Sequence, residues 1–307
     1  MEADARWTLD ALIERYSHHC RRTGGLRSRT VRGYGGFVRL FVRTLLGNDP
    51  IDLTRFNPRD VMMSFASLGG RFSARSMKTV RTALRSFFRF LRVEGLCDLP
   101  LEAALPKTAY WRLSALPCSL DDEELARVLT SFDRSTPYGR RDRAVVVCLA
   151  TLGLRPNEIA ALALEDIDWR AGTIHLRTRK TRRGAVLPLP REAGRAIAAY
   201  LRQGRPPTRE RCVFVQQTSS RRGCPLSSTA VSAIVARALR RAKVDATLNG
   251  AYVFRHTMAC RLVRQGASLK EIADFLGHRS LDTTTIYTKL DLTALRSSSL
   301  PWPEVTS

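Results

Sequence analysis

Between Tyr252 and Tyr287 the chain reads YVFRHTMACRLVRQGASLKEIADFLGHRSLDTTTIY. It carries the adjacent pair Arg255 and His256, a further histidine at His278, and Tyr287 nine residues after that. Far upstream, GLRPNEIAAL adds Arg155 and Glu158. A guanidinium grips phosphate through forked, permanently charged donors, an imidazole donates a proton or a hydrogen bond, and a phenol can act as a nucleophile. The set points to chemistry on a phosphodiester.

Such an exchange passes through a pentacoordinate phosphorus with charge growing on its non-bridging oxygens. Two arginines can clamp those oxygens, while a nucleophile attacks and a general acid protonates the departing alkoxide. A tyrosine suits the attack because its phenolate is also a fair leaving group, which keeps the linkage reversible. Cationic side chains can neutralise the charge, so no metal is needed and no cofactor is expected. Neither GxGxxG nor a Walker loop is found, and no nucleotide cradle is visible.

A partner with phosphates also fits the composition. The 307 residues hold 51 Lys and Arg against 28 Asp and Glu, a formal charge of +23, and 44% are hydrophobic. That balance describes a globular protein facing a polyanion, with nucleic acid ahead of an acidic membrane. Arg-rich usage contributes, since only six of the basic residues are Lys. The excess is nevertheless spread, with 18 basic and 9 acidic residues in the first hundred and 33 and 19 in the rest. Seven cysteines without CxxC spacing argue against a disulfide framework or a zinc site and suit a reducing cytosol. Without a signal peptide or an apolar run of bilayer length, a cytoplasmic protein is expected.

The elements that must position these residues divide into two groups. Residues 1–100 read as helices only. Trp7, Leu9, Leu12, Ile13 and Tyr16 have helical spacing, as do Val31, Tyr34, Phe37, Val38, Phe41 and Leu45, and Asn57-Pro58 reads as a helix start. From Ser76 to Arg92, Met77, Val80, Leu84, Phe87 and Leu91 form one face, and Lys78, Arg81, Arg85, Arg89 and Arg92 another. Cation runs are often just solvated faces. Five cations on one stripe without an acid favour a helix laid against phosphates. Pro100, Pro106 and Pro117 bracket a linker at 101–117.

The second group, 118–290, is helical with one small sheet. Ser119-Leu-Asp-Asp supplies an N-cap and an acidic first turn, and Arg141 to Gly153 reads as a buried helix. Thr173–Thr178 and Ala185–Leu189 read as strands joined by the basic turn Arg179-Lys-Thr-Arg-Arg-Gly184, with a third short strand at Cys212–Val215. Ser268-Leu-Lys-Glu271 is a capping box for a helix ending at Gly277, and 291–307 reads as a tail. The expected fold is mainly α: a helical N-terminal domain plus an α+β domain with a small three-stranded sheet.

In order and spacing, these boxes resemble the tyrosine recombinase family of phage integrases and Xer-like proteins over nearly the whole chain. GLRPNEIAALALEDID resembles the first arginine box, FRHT the second, and LGHRSLDTTTIY the third. The resemblance implies a SAM-like core-binding domain followed by a catalytic domain. It makes Arg155 and Arg255 the phosphate clamps, Glu158 a supporting residue, His278 a phosphate-side group and Tyr287 the nucleophile; His256 reads as a hydrogen-bonded, partly buried supporting histidine rather than a direct catalyst. Lys180, the lysine in the basic hairpin, takes the general-acid position. Lys78, Arg81, Arg85 and Arg89, with Arg179, Arg182 and Arg183, become DNA-binding candidates. The implied partner is double-stranded DNA at specific core sites, held by a homotetramer on two sites that exchanges strands through a Holliday junction. Little precedes Trp7, so the extra arm-binding domain of some phage integrases is not expected.

Taken singly, each residue has an ordinary reading: a surface arginine, a helix-end histidine, a core tyrosine, a hairpin that merely grips nucleic acid. Chance explains the ordered set poorly. One position departs from the family pattern. Three residues before the second arginine the family usually has His, and here Tyr252 stands, able to donate a hydrogen bond but not to carry positive charge at neutral pH. Weakened but retained catalysis is expected. A type IB topoisomerase and an inactive, recombinase-derived DNA-binding regulator remain the alternatives. After Tyr287, Leu290, Leu292 and Leu295 suit docking on a neighbouring subunit and packing on their own domain about equally.

Overall fold

The computed structural model describes residues 7–47, 50–107, 118–177, 184–244, 250–277 and 284–290, and for residues 75, 219 and 288–290 it describes the backbone alone. The chain divides into two compact units, Met1–Arg112 and Leu113–Ser307.

The first unit is built from α1 (Leu9–Arg22), α2 (Ser28–Leu46), α3 (Pro58–Ser67) and α4 (Ala74–Val93). Short polar residues start three of them. Thr8, Asn57 and Ser73 each accept from a backbone N–H in the following turn, and Pro58 fills the first position of α3, where no N–H is missed. Met77, Val80, Leu84, Phe87 and Leu91 on α4 are all buried. Around them Phe88 meets Phe41 and Phe56 edge to face, each at 5.8 Å, and the buried Tyr16 hydroxyl donates to the Ala83 carbonyl at 3.2 Å. Removing such rings from water contributes about 1.5–3 kcal/mol each. Leu101 and Leu105 are buried in the same core, which therefore extends past residue 100.

The opposite stripe of α4 is less uniform than its sequence implies. Lys78, Arg85 and Arg89 are exposed. Arg81 is only partly exposed and donates through Nε and Nη2 to the Leu105 carbonyl at 3.3 Å, while Arg92 pairs with Glu102 at 2.9 Å.

In the second unit, α5 (Asp122–Thr130) is capped by Asp121, which exchanges bonds with Glu124. The cap thus lies two residues beyond Ser119. Next comes α6 (Pro137–Leu152), whose run Ala144–Leu149 is fully buried because the helix packs against neighbours on several sides. It is followed by α7 (Pro156–Ala161), α8 (Arg191–Gln203), α9 (Ser228–Arg241), α10 (Tyr252–Arg264) and α11 (Leu269–Leu276), ending with a 3-10 turn at Thr285–Leu290. The sheet inserted after α7 is antiparallel in the order β1 (Ile167–Asp168), β2 (Thr173–Leu176), β3 (Ala185–Pro188). Its third strand is Ile167–Asp168, not Cys212–Val215. Cys212 and Val215 make only isolated bridges, to Ala163 and Pro225. No helix among the described residues is long and apolar enough to cross a membrane.

Candidate active site

Three helix ends converge on one place. The helix α6 stops at Gly153, which adopts φ +59° and so closes α6 with a left-handed residue. A Cβ at Gly153 would also lie 2.9 Å from Leu276 Cδ2, so a larger residue there would have to displace that side chain at the end of α11 as well as hold a left-handed backbone. That helix is opened by the capping box of Ser268 and Glu271 and closed by Gly277 at φ +60°. Between the two helix ends the chain turns into α7 with Arg155 at its N-cap. Pro156 follows at the first helical position, and Glu158 reaches back to the Arg155 N–H at 2.7 Å.

Both candidate clamps anchor on these helix ends. Arg155 donates through Nη1 to Glu158 Oε1 at 2.7 Å and through Nη2 to the Gly277 carbonyl at 3.0 Å. Arg255, one turn into α10 and 5% exposed, donates through Nη1 to the Gly153 carbonyl at 2.8 Å and through Nη2 to the Leu276 carbonyl. The C-terminal carbonyls of α11 have no partner within their own helix, and its dipole end is negative, so guanidiniums are favoured there. Burial, and then the charge of Arg155, lower the pKa of Arg255 to about 10, with Glu158 opposing. Arg255 therefore stays charged at neutral pH. Two cations held this close, with Glu158 the one carboxylate paired with them among the described residues, make a site that favours an incoming anion.

Tyr287 lies in the 3-10 turn, 2% exposed, in a small apolar cluster with Ala259, Cys260, Ile272 and Leu276. Its hydroxyl is 2.7 Å from Nδ1 of His256. Burial raises its pKa, the Arg255 charge works in the other direction, and Cys260 adds to the rise. At neutral pH the phenol is protonated and would need a proton acceptor to attack.

The structure thus brings Arg155, Glu158, Arg255, His256 and Tyr287 together from three separate segments. Tyr252 is the first residue of α10, 53% exposed and one turn ahead of Arg255. Lys180, Arg179, Arg182, Arg183 and His278 lie outside the described residues. The strands β2 and β3, paired at Leu176 and Ala185, flank the hairpin that carries the first four, and His278 follows Gly277 in sequence. Several contributors had no signal in the side-chain pattern: the carbonyls of Gly153, Leu276 and Gly277 are backbone groups. Among the described residues no three His, Cys, Asp or Glu side chains converge as metal ligands would.

Comparison with known proteins gives this geometry its context. The phage integrase family matches residues 119–293, and the phage integrase N-terminal SAM-like domain matches 13–95. A putative integrase/recombinase of Sinorhizobium fredii is 40% identical over 291 residues, covering 95% of this chain and 70% of its own. The tyrosine recombinase XerC of Oceanobacillus iheyensis is 30% identical over 297 residues, covering 94% and 95%. Among solved structures, the XerH recombinase bound to a palindromic difH substrate superposes with a TM-score of 0.71 at 18% identity, over 96% of each chain. A lambda integrase dimer bound to a core site gives 0.69 at 19%, over 97% of this chain and 80% of that one. These last two share the fold, helical N-terminal domain and catalytic domain alike. The chain belongs to the phage integrase family of tyrosine recombinases.

Proposed function

We propose that this recombinase cuts and rejoins duplex DNA at specific sites through Tyr287. The phenolic oxygen attacks the scissile phosphorus to give a 3′-phosphotyrosyl link and a free 5′-hydroxyl. Arg155 and Arg255 stabilise the charge on the non-bridging oxygens, His278 assists from the phosphate side, and Lys180 protonates the leaving 5′-oxygen. Tyr252 donates a neutral hydrogen bond from the place usually held by His. The 5′-hydroxyl of a partner strand then reverses the step, so each bond broken is replaced by one of the same kind and no energy source is consumed.

The observation that carries this reading is the meeting of two clamp arginines at the end of α11 with the Tyr287 hydroxyl against His256 on the same α10 that bears Arg255. The phenol is buried, so DNA docking has to uncover it, and the single 3-10 turn at 285–290 is the element that must give. Lys78, Arg85 and Arg89 on α4 and the basic hairpin Arg179, Arg182 and Arg183 supply backbone contacts in each unit. Assembly as a homotetramer on two sites is supported by a lambda integrase of this fold bound as a tetramer to a Holliday junction. Action on DNA fits a cytoplasmic location.

The test is a DNA duplex nicked beside the cleavage site, which loses the short 5′-hydroxyl fragment and traps the covalent complex. The wild-type chain is expected to form the adduct and Tyr287→Phe to form none. An adduct that persists in the phenylalanine variant moves the nucleophile elsewhere.

A further inference from the structure

The buried phenol leaves one step of the reaction without a group assigned to it, namely removal of the proton from Tyr287. Among the described residues one basic atom lies at hydrogen-bonding distance of that hydroxyl, Nδ1 of His256 at 2.7 Å, with the two rings tilted at 54° and their centroids 5.8 Å apart. Tyr252, standing where the family usually has His, is half exposed at the start of α10 and cannot act as a base at neutral pH. Resting on the reading that Tyr287 is the nucleophile, we infer that His256 is the proton acceptor for its attack.

The step balances. As the Oη–P bond forms and the P–O5′ bond breaks, the phenolic proton passes to Nδ1 of His256, and Lys180 delivers a separate proton to the 5′-oxygen. On rejoining, P–Oη breaks, the imidazolium returns its proton to the phenolate, and the attacking 5′-hydroxyl gives its proton back to Lys180. For this role the phenol donates in the resting hydrogen bond and Nδ1 accepts, which requires the neutral ring to carry its proton on Nε2. The transferred proton leaves a cation beside the phosphorane just as negative charge accumulates there. His256 directly follows Arg255 on α10, so one rigid helix carries both the clamp and the acceptor. A phosphate gripped by Arg255 is therefore presented beside the oxygen that His256 holds.

His256→Asn separates this role from simple positioning. The amide of Asn occupies nearly the position of Nδ1 and can keep the hydrogen bond, but it is far too weak a base to take the proton. Single-turnover cleavage of the nicked duplex would be measured with the ordinary 5′-oxygen and with a bridging 5′-sulfur, whose thiolate leaves without an acid. His256→Asn and His256→Ala are both expected to cleave at least about 10²-fold more slowly while binding DNA like wild type. Sulfur is expected to restore Lys180→Ala and to restore neither His256 variant. Near-wild-type cleavage by His256→Asn reduces His256 to a positioning residue and overturns the proposal. Rescue of either His256 variant by sulfur places His256 on the leaving group and overturns it equally. Tyr287→Phe is run in parallel: an adduct in that variant sinks the nucleophile assignment itself, a result distinct from either failure of His256.

Discussion

Arg155 and Arg255 donate to neighbouring carbonyls, those of Gly277 and Leu276, at the end of a single helix. Their separation is set by backbone, and each depends on the flat, multi-donor guanidinium to reach a carbonyl while facing an anion. Lysine offers one point charge and cannot do both. Arg155→Lys and Arg255→Lys are each expected to lower single-turnover cleavage by about 10²-fold or more, roughly 2.7–4 kcal/mol of transition-state stabilisation. DNA affinity should change only a few-fold. Gel-shift titration beside nicked-duplex cleavage checks both halves, and a lysine variant cleaving within a few-fold of wild type would remove that arginine from the clamp.

Stability should fall on the alkaline side. Burial pushes the acids Tyr16, Tyr200, Tyr287 and Cys260 up, and Cys148 up to about 12, so each ionises in the unfolded chain at lower pH than in the native one. Where the unfolded chain binds fewer protons, stability declines with rising pH, here from near pH 9, where free thiols titrate, through the phenolic range. Arg255, lowered to about 10, works against this trend above that pH. Thermal melts from pH 7 to 10.5 should show a falling midpoint, and Tyr200→Phe should flatten it. A midpoint that rises over this range would contradict these directions.

The cations of α4 should separate into two classes. Lys78→Ala, Arg85→Ala and Arg89→Ala remove exposed charges and are expected to weaken DNA binding and reduce the salt slope by about one each, without shifting the melt. Arg81→Ala removes the donor to the Leu105 carbonyl and should lower the melting midpoint instead. Fluorescence anisotropy across a salt series, with melts of the same variants, reads this. Equal salt slopes for all four variants and wild type would make the stripe a solvated face.

Most of the site could be read because its residues sit in short local boxes. The GLR turn, the FRHT helix start and the capping box at Ser268 are each encoded within a few residues, and so are the caps and amphipathic faces that build the helices. What could not be read is set by tertiary contact. Cys212–Val215 has the composition of a strand, yet the two-residue segment Ile167–Asp168 takes the third place because it pairs with β2 in register. Leu101 and Leu105 lack periodicity, but they fill the first core, and the Leu105 carbonyl and the Glu102 carboxylate in the same stretch draw Arg81 and Arg92 away from the cationic stripe. The bond between His256 and Tyr287 spans 31 residues, and no spacing rule forecasts it.

Tyr252 offers a test of family chemistry within this chain. It stands one turn ahead of Arg255 on the same helix. An imidazole there would supply a charge-capable donor in place of the phenol. Tyr252→His is expected to cleave at the wild-type rate or faster in single-turnover assays. Abolished cleavage in a folded, DNA-binding variant would show that Tyr252 does not fill the histidine's place.

The most direct measurement is to identify the amino acid joined to DNA. The trapped complex would be digested with protease and nuclease and the nucleotide-bearing peptide sequenced by mass spectrometry. The expected product is a peptide of the 284–290 segment with a 3′-phosphoryl nucleotide on Tyr287. A nucleotide on any other residue, or a 5′-phosphoryl linkage, would contradict the central claim.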